Sequence, residues 1–266
     1  MPDPASDRRR ELARLVAERG FLRVADASIL LGVSEVTVRA DLARLEGEGT
    51  VARIHGGAVP AGSIRSESPL EHSVQTDASV KRAIGESAAA LVAPGNSLML
   101  DVGSTALAVA EALVRRTELE DVTVITNGLT VALALEPAHP RFRIVVIGGT
   151  LRPLQHSLVD PLAGTLLDQL HADLAVIGCN GVDVEGGVTN INLAEADVKR
   201  RMVARSERRV LVADASKLGR THLGGVAPLA VFDTLVTGGD PPRAVIGDLE
   251  RAGLDVLVAG EAGSLG

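Results

Sequence analysis

The sequence predicts an α/β protein in two parts: a small helical head carrying a β-hairpin, then a larger domain built on a mostly parallel sheet. Three observations lead there. The first sixty residues hold three short amphipathic helical patterns and then a glycine turn between two β-prone pieces. Beyond about residue 80, short apolar runs alternate with helix-length amphipathic stretches, as expected of parallel strands joined by crossover helices. Between the two, from Ala61 to about Ser79, the chain contains Ser, Glu and Pro without periodicity and reads as a linker with some local helix. The expected limits are 7–59 for the head, 60–79 for the linker and 80–266 for the larger domain.

In the head, Leu12, Leu15 and Val16 fall at i, i+3 and i+4 within Asp7 to Arg19, one apolar face of a helix that Gly20 ends. A second helix runs from about Val24 to Leu31 and stops at Gly32. Ser34 is placed to cap a third, which continues through Gly47. Thr50 to Ile54 and Ala58 to Val59 then flank His55-Gly56-Gly57 as a hairpin, or wing. Two helices joined by Gly32-Val33-Ser34 form the helix-turn-helix pattern, whose second helix enters the major groove of duplex DNA.

On a wheel of 100° per residue, Val38, Leu42 and Leu45 share one face and must pack inward. The opposite face holds Val36, Ala40 and Ala43, flanked by Thr37, Arg39 and Arg44. Ser34 and Thr37 are therefore candidates for phosphate contacts at the helix N-terminus, and Arg39 and Arg44 for guanine edges or phosphates. Val36 and Ala40 are placed for thymine methyl groups, and Arg53 and His55 in the wing for the DNA backbone or minor groove. A small dimerisation module with solvated arginines is the competing reading. Turn, cap, polar face and wing arriving in order favour the DNA reader.

In the larger domain the expected strands are Ser97 to Val102, Val122 to Thr126, Phe142 to Ile147, Ala172 to Gly178, Arg209 to Ala213, Thr234 to Val236 and Leu254 to Val258. The first ends in Asp101-Val102-Gly103-Ser104-Thr105 and runs straight into a helix. Glycine lets a backbone approach an anion, while two hydroxyls and the helix N-terminus supply donors, so phosphate is the natural occupant. An ordinary capped strand-to-helix turn has the same appearance. Ligands collect at the carboxyl ends of parallel strands, and Asn127-Gly128, Gly148-Gly149 and Asp214-Ala215-Ser216-Lys217 all follow expected strands. Asn127 suits a sugar hydroxyl and Lys217 a phosphate. Asn127-Gly128 and Gly148-Gly149 would serve equally as plain turns, and Lys217 as a surface ion pair.

Composition narrows the classes further. Of 266 residues, 46% are hydrophobic, enough for a real core. Phe21, Phe142 and Phe232 are the only aromatics, so the core must be aliphatic, and the composition argues against a base-stacking single-strand binder. The net charge is -7, from 27 basic against 34 acidic residues. Residues 1–60 carry nine of each sign, so the excess negative charge lies wholly in the larger part, and a neutral head can still present a basic face. Cys179 stands alone, which excludes an internal disulfide and a multi-cysteine zinc site and fits a reducing compartment; the thiol reads as a small buried hydrophobe. The six histidines (His55, His72, His139, His156, His171 and His222) show no helical i, i+4 pair, so neither a metal nor another cofactor is expected. No apolar stretch suggests a signal peptide or a membrane span, and the cytoplasm is the expected location.

The run Arg39-Ala40-Asp41-Leu42-Ala43-Arg44-Leu45, preceded by Val33-Ser34-Glu35-Val36-Thr37-Val38 and followed by Arg53-Ile54-His55-Gly56-Gly57-Ala58, resembles the DeoR family of bacterial transcription regulators. The larger domain resembles that family's effector domain, related to ribose-5-phosphate isomerase, and the resemblance covers about residues 7–240. Asn190 to Met202, with Glu195 and Lys199, matches the family pattern, which implies a place lining the ligand pocket or an oligomer surface. Two positions depart from it: Ala40, where relatives usually carry Arg or Lys, and Asp160-Pro161, where they usually carry Gly-Pro. The resemblance implies a sequence-specific repressor of carbohydrate genes, binding double-stranded operator DNA as a homodimer or homotetramer under the control of a phosphorylated sugar. The alternative is an isomerase-like enzyme fused to a DNA-binding head, with Asp101, Glu195 or Asp214 abstracting a proton.

Overall fold

Gly32 takes a left-handed conformation (φ 65°) and its N–H bonds to Ser28 O, closing one helix. Two residues later Ser34 Oγ accepts from Thr37 N at 3.2 Å and opens the next. That pair of signals sets the helix-turn-helix. The computed structural model describes residues 4–19, 22–54, 56–60 and 67–260, and the chain divides into units of residues 1–72 and 73–266. The first contains α1 (Pro4–Arg19), β1 (Leu22–Arg23), α2 (Val24–Leu31), α3 (Glu35–Gly47), β2 (Val51–Ile54) and β3 (Gly57–Pro60). Leu12, Leu15 and Val16 of α1 meet Val38, Leu42 and Leu45 of α3 in one core with Leu22, Val24, Ala27, Val51 and Ala58. The wing has a third strand that the sequence reading lacked. β1 pairs antiparallel with β3, Leu22 opposite Ala58, giving the order β1-β3-β2; a two-residue strand has too little length to show alternation.

In the expected linker, residues Leu70–Gln75 form a helix, α4, and α5 (Ala78–Ala89) starts before the expected end of that segment. The second unit continues with β4 (Ser97–Leu100), α6 (Ser104–Arg115), β5 (Val122–Thr126), α7 (Leu129–Leu135), β6 (Phe142–Val146), β7 (Thr150–Arg152), β8 (Ser157–Val159) and α8 (Leu162–Leu167). Then come β9 (Ala172–Gly178), β10 (Gly181–Asp183), β11 (Gly187–Asn190), α9 (Leu193–Ala204), β12 (Ser206–Asp214), β13 (Gly224–Ala227), β14 (Thr234–Gly238), α10 (Arg243–Arg251) and β15 (Asp255–Val258).

All seven apolar runs enter one parallel sheet of order β15-β14-β12-β9-β4-β5-β6. They read as continuous runs because helices cover both faces. Leu98, Leu100, Val122, Val124, Val176, Val210 and Val236 pack with α5, α6 and α7 on one side. Met99, Ile125, Ala175, Ile177, Leu211 and Leu235 pack with α8, α9 and α10 on the other. Five further strands are antiparallel: the β7-β8 hairpin and the small sheet β10-β11-β13. From β4 the chain builds outward through β5 and β6, then returns to β9 on the other flank of β4. The order therefore reverses between β4 and β9, the kind of switch point beyond whose carboxyl ends open α/β sheets bind ligands.

Candidate DNA-reading surface and effector site

Helix α3 turns Val38, Leu42 and Leu45 inward, as the wheel requires, and leaves Arg39, Ala40, Ala43 and Arg44 exposed, with Val36 at 74% exposure. An apolar side chain so open to water is placed to meet an apolar base edge. The Ser34 and Thr37 hydroxyls lie 2.9 Å apart at the start of the helix. Each arginine lies along a carboxylate of its own neighbourhood: Arg39 donates to Glu35 Oε2 at 2.6 Å, Arg44 stands 3.5 Å from Glu48 Oε1, and Arg53 3.9 Å from Glu46 Oε2. Exposed pairs of this kind hold side chains weakly, so a phosphate can displace the carboxylate. His55 lies outside the described residues.

The sequence reading missed Asp41. Its carboxylate is buried beneath α3 and accepts from Arg8 Nε at 2.6 Å and Arg8 Nη2 at 3.3 Å, with Arg9 at 3.9 Å, so it ties α3 to α1. The wheel carried the signal, since position 41 falls on the same face as 38, 42 and 45.

In the second unit, the sheet edge gathers some of the expected effector residues and separates others. Gly103 holds φ 101°, a value that favours glycine, and the first helical bond of α6 runs from Leu107 N to Gly103 O. The N–H groups of Ser104, Thr105 and Ala106 therefore precede the helix's own bonding and point out of its positive end. Asp101 follows β4 and is 1% exposed; its Oδ2 accepts from Gly178 N at 2.9 Å and from Lys199 Nζ, 98 residues away on α9. One turn earlier on α9, Glu195 Oε1 accepts from Arg152 Nη1 at 2.7 Å and Ser157 Oγ at 2.5 Å, while Asn192 Oδ1 caps the helix at Glu195 N. Asn127, 1% exposed, gives its Nδ2 to Leu158 O.

Two buried oxygens in this cluster lack a partner: Asp101 Oδ1 and Asn127 Oδ1. Leu100 pairs with Thr126 across β4 and β5, so Asp101 and Asn127 stand level on neighbouring strands. Both belong to the α9 face of the sheet, one position beyond residues that face α6.

Gly148-Gly149 and Lys217 lie further out. The glycine pair follows β6, two strands from β4, and a Cβ on Gly149 would come within 2.4 Å of Val159 O; close backbone packing on β8 accounts for that glycine. Lys217 follows β12, two strands away on the other flank, beyond an Asp214 whose Oδ1 accepts from Ser216 N at 2.9 Å. Asp160 is exposed and its carbonyl accepts from Thr150 N at 3.2 Å, a role that glycine would serve equally. Arg152 and Ser157 were not anticipated, because only the folded hairpin β7-β8 brings them to α9; Asn192, the cap of α9, lies within the expected run Asn190 to Met202.

The buried charges shift as their surroundings require. Burial pushes the Asp101 carboxyl up, and the neighbouring Lys199 ammonium opposes this. For Glu195 burial also acts upward, but Lys199, Arg152 and the Ser157 hydroxyl outweigh it and hold the carboxyl below its ordinary value of 4.5. A carboxylate with a lowered value contributes stability above the ordinary value and loses it as pH falls through the folded one. The melting temperature of Glu195→Gln should therefore lie below that of the wild type at pH 7, with the gap closing below pH 4.5; a gap independent of pH would contradict the assignment. Cys179, expected to be buried, is half-buried, and desolvation of its thiol pushes it up to about 12, which keeps it protonated near neutral pH. Among the described residues no helix is long and apolar enough to cross a membrane.

Comparison with known proteins finds two family models along the chain. One described as a DeoR-like helix-turn-helix domain matches residues 8–63, and one described as a DeoR C-terminal sensor domain matches residues 76–239. The HTH-type transcriptional regulator GlpR of Haloferax volcanii is 34% identical over 95% of this chain and 97% of its own length. The glycerol-3-phosphate regulon repressor of Escherichia coli K12 is 28% identical over 91% of this chain and 94% of its own. Among solved structures, ribose 5-phosphate isomerase A from Methanocaldococcus jannaschii covers 54% of this chain and 55% of its own at 19% identity, with a TM-score of 0.39, too low to support an argument.

Proposed function

Since the chain belongs to the DeoR family of transcriptional regulators, we propose that it is a cytoplasmic repressor of carbohydrate genes whose grip on operator DNA is released by a phosphorylated sugar. The chain is a DNA-binding regulator and not an enzyme, so the isomerase alternative is set aside. One observation carries the effector reading: two unpartnered buried acceptors, Asp101 Oδ1 and Asn127 Oδ1, stand side by side at the carboxyl ends of β4 and β5, next to the reversal of the sheet order. Buried acceptors without donors are costly, and sugar hydroxyls would satisfy both. The amides of Ser104, Thr105 and Ala106 supply the complementary anion site for the phosphate. A relative is named for a glycerol-3-phosphate regulon, which is consistent with a small phosphorylated polyol.

Control of DNA binding follows by linkage. The effector releases the operator to the extent that it binds the DNA-incompetent state more tightly. Paired half-sites require at least a homodimer, and a homotetramer serves equally.

The test is fluorescence anisotropy on the DNA upstream of the protein's own coding region, at fixed salt because affinity falls steeply with it, with and without a panel of phosphorylated sugars. One phosphosugar should weaken binding selectively. Tight binding that no member of the panel alters would defeat the effector reading and leave the DNA reader intact. In the same assay Arg39→Ala should cost about 1–3 kcal/mol of operator affinity. Glu35→Gln should strengthen binding, because it frees Arg39 and removes a negative charge from the DNA-facing side of α3. Equal affinity for both variants and the wild type would take Arg39 out of the interface.

A further inference from the structure

At the same sheet edge, on the face covered by α5, Lys81 is 7% exposed and donates to two neutral main-chain carbonyls, Ser73 O and Thr76 O, each at 2.6 Å. These carbonyls lie at and just past the end of α4, the helix through which the chain passes from the first unit to the second. Burial pushes the Lys81 ammonium below the usual lysine range; Asp214 opposes the shift, Lys217 adds to it and Asp77 opposes it.

The position of Lys81 relative to α6 follows from one close contact. A Cβ on Gly85 would lie 2.6 Å from the backbone of Ala108, so α5 and α6 meet there with no side chain between them. Both helices run from the carboxyl edge of the sheet toward its amino edge. One turn back on each, Lys81 stands level with Ser104, where α6 begins. The Asp214 carboxylate is engaged in its own turn with Ser216. This corner therefore combines a buried ammonium and the positive end of a helix, with Lys217 further out but close enough to act on the ammonium. The unpartnered oxygens of Asp101 and Asn127 at the same edge point independently to a ligand.

We propose that Lys81 binds the phosphate of the effector and is also the clasp on α4, so that an anion at the start of α6 draws the ammonium away from Ser73 and Thr76 and loosens that helix. The proposal rests on the effector reading above and adds the route by which the site reaches the segment joined to the DNA reader. Only a change in the partners of a buried charge is required, and a buried charge must find one partner or another.

The experiment uses the full-length protein with inorganic phosphate as the probe, against chloride of matched ionic strength. Phosphate should raise the melting temperature saturably and speed hydrogen exchange of the amides near the end of α4. Lys81→Gln keeps amide donors for the two carbonyls but removes the charge, and should weaken the phosphate response at least about tenfold and abolish the exchange response. Lys81→Arg, which keeps the charge, should retain the phosphate response. If phosphate protects Lys81→Gln as strongly as the wild type, the proposal fails while the effector reading stands. If phosphate protects the wild type but exchange in α4 does not change, the clasp is refuted; this readout needs no variant to fold. If neither phosphate nor any phosphorylated sugar stabilises the wild type, the effector reading falls and takes the proposal with it.

Discussion

Lys199→Met is expected to destabilise the second unit by about 3–5 kcal/mol, the usual cost of leaving a buried charge without its partner. Asp101 would keep a single donor on Oδ2, Gly178 N, while Oδ1 already has none. The folded chain can relieve the loss by taking up a proton. Burial already pushes this carboxyl up, and without Lys199 only backbone N–H groups, of Val102 and Gly178, are left to oppose it, while Glu195 pushes it further up. A group whose folded value is raised adds stability as pH falls, so the deficit of the variant should shrink between neutral pH and the ordinary carboxylate value of 3.8. Adding Asp101→Asn to Lys199→Met should recover much of the stability at pH 7, since the buried carboxylate left without its lysine is then neutral, while Glu195 keeps Arg152 and Ser157. Urea unfolding of the three proteins at two pH values measures all of this. A loss under about 1 kcal/mol, or a double variant no better than the single, would mean that Lys199 is not what offsets the burial of the Asp101 charge.

In the first unit the largest effect is expected from Leu42→Ala. Leu42 is 2% exposed between α1, α2 and the wing, and truncating such a leucine costs about 2–5 kcal/mol through lost burial and the cavity left behind. A unit of this size has only about 3–5 kcal/mol to lose, so the variant should be largely unfolded there at 25 °C and should not bind operator DNA. The transition of the second unit should stay where it is, because no residue of its two cores is touched. Calorimetry read beside the anisotropy assay checks both statements. Retained operator binding would show that Leu42 does not bear on the positioning of α3, and a matching shift of both transitions would show that the units unfold together.

The two variants mark how far the sequence could be read. Leu42 was visible as a core residue, because a helical face repeats every few positions along the chain. Asp41 beside it fell on the same face, but its ion pair could not be read, since that depends on Arg8 and Arg9 in another helix. The same contrast appears in the sheet. Seven apolar runs announced seven strands, whereas β1 and the hairpin strands are two or three residues long and show no period at all. Gly103 to Thr105 could be recognised as a turn suited to an anion. Nothing local to Gly149 told its close contact with Val159 from a ligand contact.

By itself the sequence determined the helix-turn-helix and wing, the exposed face of α3, the α/β class of the second unit and the family. All of these are carried by spacing along one stretch of chain, where helical and strand periods operate. Only the tertiary structure decided that β4 lies between β9 and β5, and with that order the rest of the effector site. It set Asp101 against Lys199, placed Arg152 and Ser157 on Glu195, left two acceptor oxygens unpartnered and brought Lys81 level with Ser104. Partners separated by 38 to 98 residues are chosen by which strands become neighbours, and that choice is made by burial of the whole sheet rather than by any local pattern.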